Sequence, residues 1–215
     1  MSENTSLSQR SRLTSIASWL GVGMCVVYGA FAVDAAATET LSLLGLVDNA
    51  PARSAPGLFV VHALAGGVAL TAGPLQLALA PRLLTRAPRV HRTLGRTYVG
   101  AAWLTSGTGL GTALAFDVGL AGTLAFALWS VLWFGATTAA LTHIRKGRIT
   151  QHQEWMVRSV ALSLVFAVFS VVQPVLVGTG LPRDVAYPLS VLTSVAIILA
   201  GGGLLVTVRG HRRLG

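Results

Sequence analysis

A stretch of the chain that begins at His91 combines an imidazole, a phenol and two guanidinium groups. It reads HRTLGRTYV, and in a helix His91, Gly95 and Tyr98 share one face, with Arg92 and Arg96 beside it. Such a face could bind haem iron through His91 and an anionic group, a haem propionate or a lipid phosphate, through the arginines. The alternative interpretation is that the arginines and Tyr98 only anchor a helix at the membrane surface.

A second stretch with the same kinds of residue begins at His152 and reads HQEWMVRS. His152 and Ser159 share one helical face. Each of the two histidines begins a helix after a basic loop, so we expect His91 and His152 at matched depth and close together, as in a duplicated helical hairpin. They are the candidate axial ligands of one haem b. The residues expected around this cofactor are Arg92, Arg96, Tyr98 and Arg158.

A third candidate is a line of polar and small residues inside an apolar stretch. His62 is followed at helical spacing by Gly66, Ala69, Gly73 and Gln76, which places all five on one face. The favoured interpretation is helix packing, in which His62 and Gln76 hydrogen-bond across a close contact. The alternative is functional: His62 and Gln76 would lie near a quinone or line a polar pathway through the membrane.

These residues have to be positioned by helices in a membrane. The chain has 53% hydrophobic and 11% charged residues and a mean hydropathy of +0.69, whereas soluble domains carry about 25% charge. In lipid a helix satisfies its own backbone groups. We therefore predict an all-α, polytopic membrane helical bundle that forms a single integral membrane domain, residues 1–215. The six predicted transmembrane helices are residues 13–33, 57–80, 94–116, 118–144, 154–177 and 187–208.

The basic residues predict how these spans are oriented. Fourteen of the sixteen Lys and Arg residues lie near the termini and near the loops after the second and fourth spans. Short cytoplasmic loops retain Lys and Arg, so we predict both termini in the cytoplasm and the protein in the cytoplasmic (inner) membrane of a bacterium. Because the charges flank apolar spans, we expect contact with membrane lipids and no nucleic-acid binding. His143 and His211 lie in basic segments and are expected to be solvated.

The sequence leaves open whether the first span is a retained helix or a cleaved signal peptide. The span is longer than the apolar region of a signal peptide, about 7–15 residues, which favours a retained helix; cleavage would leave the other five oriented as predicted. In the segment from Asp34 to Pro56, Leu41 to Val47 is expected to form a short interfacial helix. The single cysteine, Cys25, excludes an intrachain disulfide and a cysteine-ligand metal cluster.

Taken in order, several of these motifs resemble the bacterial "domain of unknown function 2306" membrane proteins. They are GPLQ after His62, HRTLGRTYV, the tryptophans of the fourth span and HQEWMVRS, and they cover about residues 57–170. The resemblance implies a multi-pass membrane protein and no particular activity. Where that family has an Arg-Leu motif late in the fifth span, this chain has Val172 and Gln173, which puts any role of that site in doubt.

A more distant similarity is to two-haem transmembrane b-type cytochromes, whose four core helices carry paired histidines. His91 and His152 match one such pair. The similarity implies at most one bis-histidine haem, because residues 124–142 hold no histidine that could pair with His62.

Three classes of function stay open. One is an electron-transfer protein with haem b or a quinone, the second a non-catalytic assembly or structural subunit, and the third a transporter of protons or a small solute. No nucleophile elbow, HExxH motif or paired intramembrane carboxylates occur in the sequence, which disfavours a hydrolase and leaves open whether the protein is an enzyme. A membrane protein partner or a homo-oligomer is compatible with each class.

Overall fold

The computed structural model of the chain describes residue 23 and residues 26–46, 55–115 and 118–211, with residues 202–211 described as backbone only. This part is helical, with no strand, which confirms the all-α prediction. The helices are α1 (residues 26–43), α2 (Pro56–Arg86), α3 (Pro88–Ala115), α4 (Gly119–Arg145), α5 (Ile149–Ser163), α6 (Val165–Gly178) and α7 (Arg183–His211). The start of the first predicted span, Cys25 and the side chain of His211 lie outside the described residues.

Several helical segments are long and apolar enough to cross a membrane, and one of them consists of α5 and α6 together. Within the described residues they are Pro56–Arg86, Gly119–Arg145, Ile149–Gly178 and Arg183–Gly201. They correspond to the second, fourth, fifth and sixth predicted spans, whereas the third corresponds to α3. Large apolar side chains such as those of Val131 and Val171 point outward, about 60% exposed, as expected for a surface that meets lipid. The protein is a multi-pass membrane protein.

The fifth predicted span is two helices instead of one. α5 and α6 meet at Leu164, which lies in a turn although neither glycine nor proline is near it. Side chains explain the break. The hydroxyl of Ser163 donates to the Val160 carbonyl at 2.6 Å, and the indole N–H of Trp129 on α4 donates to the Leu162 carbonyl at 3.0 Å. These bonds satisfy carbonyls that would otherwise belong to a continuous helical ladder.

The prediction of a separate interfacial helix at Leu41 to Val47 is wrong. α1 continues to residue 43, about ten residues beyond the predicted end of the first span, because its alanine-rich sequence holds no helix breaker before Gly45, where φ is +69°. α1 packs against α2 through Gly67, where an added methyl group would lie 3.1 Å from the Gly29 carbonyl oxygen. The hydroxyl of Ser170 on α6 donates to that of Tyr28 at 2.9 Å.

Helices α2 to α5 form an antiparallel four-helix bundle. α2 packs against α3 and α5, and α4 packs against the same two, so α3 and α5 stand on a diagonal and run in the same direction. α7 covers α4 and α5 from outside and also contacts α6. The core consists largely of small residues, which let membrane helices approach closely. We call the end with the α2–α3 and α4–α5 loops the basic end; its exposed side chains include Arg86, Arg89, Arg145, Lys146 and Arg148.

Candidate functional site

The small-residue face of α2 packs along α3, as the packing interpretation of that face predicts. A methyl group added at Gly73 would lie 2.6 Å from ring carbon Cε2 of Tyr98. One added at Gly95 would lie 2.9 Å from Nε2 of Gln76. Gly73 therefore makes room for the phenol of Tyr98, and Gly95 makes room for the carboxamide of Gln76.

His62 belongs to the same packing face but lies far from the other histidines. Its Nδ1 is 3.1 Å from the Thr105 carbonyl oxygen and 3.3 Å from the Thr108 hydroxyl. A carbonyl only accepts, so Nδ1 carries the proton and His62 donates to α3. A methyl group added at Gly109 would lie 3.3 Å from Cε1 of His62. Gly109 is eighteen residues from His91, which is about 27 Å along the helix, and His62 is therefore not part of the same site.

Four buried side chains form a closed ring of hydrogen bonds in the middle of the bundle. Thr137 donates to the main-chain carbonyl of Trp133 at 2.8 Å, so its partner at 2.6 Å, Ser159, must donate to it. Tyr98 then donates to Ser159 at 2.7 Å, and the indole N–H of Trp133 donates to the Tyr98 oxygen at 3.3 Å. The ring begins and ends on Trp133. We call these four residues the hydroxyl ring; it joins α3, α4 and α5.

The hydroxyl ring shows how the two candidate ligands are related. His91 lies seven residues before Tyr98 on α3, and His152 lies seven residues before Ser159 on α5. Because the two helices are parallel and Tyr98 contacts Ser159, the histidines occupy the same level across the core, about 10.5 Å nearer the basic end. They are close enough for the charge of His152 to affect His91. The structure thus places the two histidines that the sequence pairs at one level of parallel helices.

The ring of His152 is fixed by a main-chain group. Its Nδ1 lies 2.9 Å from the carbonyl oxygen of Ala140 on α4. The carbonyl can only accept, so Nδ1 carries a proton and donates to it. Imidazoles that bind metals are held in this way, with the second nitrogen donating to a carbonyl or carboxylate. When His152 is neutral, Nε2 is therefore the nitrogen available to a ligand.

His91 is held by Gln76 instead. The carboxamide N–H of Gln76 donates to the main-chain carbonyl of His91 at 3.1 Å, and its Nε2 lies 3.4 Å from Nε2 of the imidazole. An amide nitrogen only donates, so this ring nitrogen has its lone pair as well. Burial lowers the pKa of His91, which precedes the third predicted span, and the charges of His152 and Arg92 lower this pKa further. The lowered pKa favours the neutral form of His91.

Two polar atoms at this level are buried without a partner. Among the side chains that the structure describes, Oε1 of Gln76 and Nδ1 of His91 accept and donate no hydrogen bond. Gln76 is only 6% exposed. A buried polar atom without a partner is costly and rare in native proteins, so it indicates an occupant such as water or a ligand. This level of the core has the features of a binding site.

The predicted arginines lie between the level of the histidines and that of the hydroxyl ring. Arg92 and Arg96 are exposed on α3, and Arg158 is half-buried with its guanidinium 4.9 Å from the centre of the Trp155 ring. Tyr98 lies in the core rather than in an aromatic belt, since it is fully buried. The prediction that His143 is solvated is wrong for its Nδ1, which is buried.

The contribution of α4 to the site was not predicted from the sequence. Ala140 orients His152, while Trp133 and Thr137 complete the hydroxyl ring. The signal was a line of residues at helical spacing, 133, 136, 137 and 140, on one face of a tryptophan-rich helix. No group of three or more His, Cys, Asp or Glu side chains within the described ranges could hold a metal ion. The candidate ligands at this site are the imidazole nitrogens of His91 and His152.

Comparison with protein families gives one match. The model of a family described as "Predicted membrane protein (DUF2306)" matches residues 59–205. The match includes α3, α4, α5 and α6, and with them both histidines and the hydroxyl ring. Comparisons with curated proteins and with solved structures give no match.

Proposed function

This chain belongs to the DUF2306 family of predicted membrane proteins, and we propose that it is an electron-transfer protein in which His91 and His152 ligate one b-type haem. One observation carries the proposal. Two imidazoles lie at the same level on parallel, diagonal helices of a four-helix bundle, each seven residues before a member of the Tyr98–Ser159 hydrogen bond. Two imidazoles from facing helices are the donor set of a haem that carries electrons.

The residues around the pair suit this cofactor in three respects. The Ala140 carbonyl orients His152 and raises the basicity of its Nε2. Gly95, one turn after His91 on α3, leaves space that the carboxamide of Gln76 fills. Arg92 supplies positive charge beside His91, and Arg96 and Arg158 supply it within about two turns of the histidines, where propionates would be bound by charge-assisted hydrogen bonds.

A bound haem b would supply reversible one-electron chemistry, and the protein would supply ligation, orientation and electrostatics. His152 is preorganised for ligation, whereas His91 has to release its contact with the Gln76 amide. The proposal includes the cytoplasmic membrane of a bacterium as the location, with the basic end and both termini in the cytoplasm.

Of the alternatives, a non-catalytic assembly role is favoured by one observation. His62 and the α2 small-residue face are used for packing against α3, which leaves less reason to propose a quinone site or transport pathway there. An assembly subunit would need the bundle and not the histidine pair.

A reduced-minus-oxidised absorbance spectrum of the protein purified in mild detergent tests the proposal. We expect a Soret shift and a sharp α-band in the wild type, lost in His91→Ala and in His152→Ala. His62→Ala is the matched control, because it removes an imidazole from the same bundle without touching the pair. A wild-type spectrum without these bands, after expression with added haem, would refute the haem assignment and favour the assembly role.

A further inference from the structure

The separation of His91 and His152 has to be set by something other than the loops that precede them. Both lie at the basic end, directly after loops whose side chains are exposed. α3 and α5 stand on the diagonal, so they do not fix each other by direct backbone packing. The nearest group that crosses this diagonal is the Tyr98–Ser159 hydrogen bond, two turns away on each helix.

We propose that the hydroxyl ring of Tyr98, Ser159, Thr137 and Trp133 is a spacer that sets the distance and facing of His91 and His152. This inference rests on the proposed function, because the quantity being set is the geometry of a ligand pair. Its members are positioning residues, since they act on the ligands through the helices.

Three features make the ring suitable as a spacer. It is closed, so each of the three hydroxyl groups and the indole N–H donates one hydrogen bond within the ring. None of these groups can rotate without breaking a hydrogen bond. Its members are buried, with Tyr98, Ser159 and Thr137 fully so, which removes competition from water. It spans three helices, and therefore fixes α3 and α5 relative to α4.

The register of the ring also suits this role. Tyr98 and Ser159 are each seven residues from a histidine, and seven residues are close to two helical turns. The contact and the histidines therefore lie on the same faces of their helices. A shift of α3 relative to α5 at the ring is transmitted by two rigid turns to the ligand pair.

The test measures the helix separation at the basic end directly, without haem. Cys25 is replaced by serine, and spin labels are attached at Arg89→Cys and Thr150→Cys, exposed positions two residues before His91 and His152. Pulsed electron paramagnetic resonance then gives the distance distribution between the labels. We expect Tyr98→Phe and Ser159→Ala to shift or broaden this distribution, and Thr137→Ser, which keeps the hydroxyl, to leave it unchanged.

The same variants, without labels, are compared by the midpoint potential of the bound haem. We expect Tyr98→Phe and Ser159→Ala to move the potential and Thr137→Ser to retain the wild-type value. A label distribution that is unchanged in both ring-breaking variants would overturn the spacer. Absence of haem from the wild type would overturn the proposed function alone, because the label distances still decide the spacer. If Tyr98→Phe does not fold, the label distance distribution of Ser159→Ala alone decides whether the ring is a spacer.

Discussion

Gly73→Ala is expected to destabilise the bundle, although alanine is the better helix former. The added methyl group would lie 2.6 Å and 2.9 Å from two carbons of the Tyr98 ring and 3.1 Å from a methyl of Val160. The ring cannot turn aside, because its hydroxyl is held in the hydroxyl ring on both sides.

The magnitude follows from two opposed contributions. Replacing a helical glycine by alanine stabilises by roughly 0.5–1 kcal/mol. Overpacking a well-packed core costs about 1–3 kcal/mol, and distances below 3.0 Å to a rigid ring belong to the upper half of that range. The net expectation is a loss of roughly 1–2.5 kcal/mol.

The assay is unfolding by titration with a denaturing detergent, followed by far-ultraviolet circular dichroism. Gly100→Ala on α3 is the matched control, because no atom lies within 4 Å of its added methyl group. We expect Gly100→Ala to be neutral or stabilising. Equal stability changes for the two variants would show that Gly73 does not accommodate Tyr98 and would refute the packing described for α2 and α3.

Three further predictions concern the same site and its surroundings. Gly95→Ala should displace the Gln76 carboxamide from the His91 carbonyl, since its methyl group would lie 2.9 Å from Nε2; in proton magnetic resonance we expect changed His91 ring signals, and unchanged signals would contradict the contact. Trp129→Phe should remove the donor to the Leu162 carbonyl and speed amide hydrogen exchange around Leu164, whereas Trp103→Phe on α3, whose indole donates to Thr138, should leave that segment unaffected. Acidification should destabilise the haem-free protein, because burial and the charges of His152 and Arg92 lower the pKa of His91 below its usual 6.5 in the folded state. The unfolded chain then takes up the proton first, so stability falls as the pH decreases from 6.5 towards the folded-state pKa, and His91→Leu should weaken this dependence.

The sequence was sufficient where a periodic pattern decides which side of a helix faces the core. The face of Gly66, Ala69, Gly73 and Gln76 packs as its spacing predicts, because small residues at helical intervals leave one solution for close packing. The match between His91 and His152 was also predictable, since both begin helices that leave the same end of the bundle.

Other features depend on contacts between helices that a single sequence does not display. The break at Leu164 has no glycine or proline; it arises from Ser163 and from a tryptophan on another helix. The predicted end of the first span was wrong for α1, because hydropathy falls at Asp34 whereas helix propensity does not. The roles of Ala140 and Trp133 depend on which helices pack against α4. Hydropathy gives no information on which helices are neighbours.

The central claim is that the facing histidines hold one cofactor, and the haem content of the purified protein tests it most directly. The pyridine haemochrome assay, divided by protein concentration, gives haem b per chain. The account predicts one haem per wild-type chain, retained in His62→Ala and lost in His91→Ala and His152→Ala. Haem far below one per chain in wild type, or full haem content in both ligand variants, would contradict it.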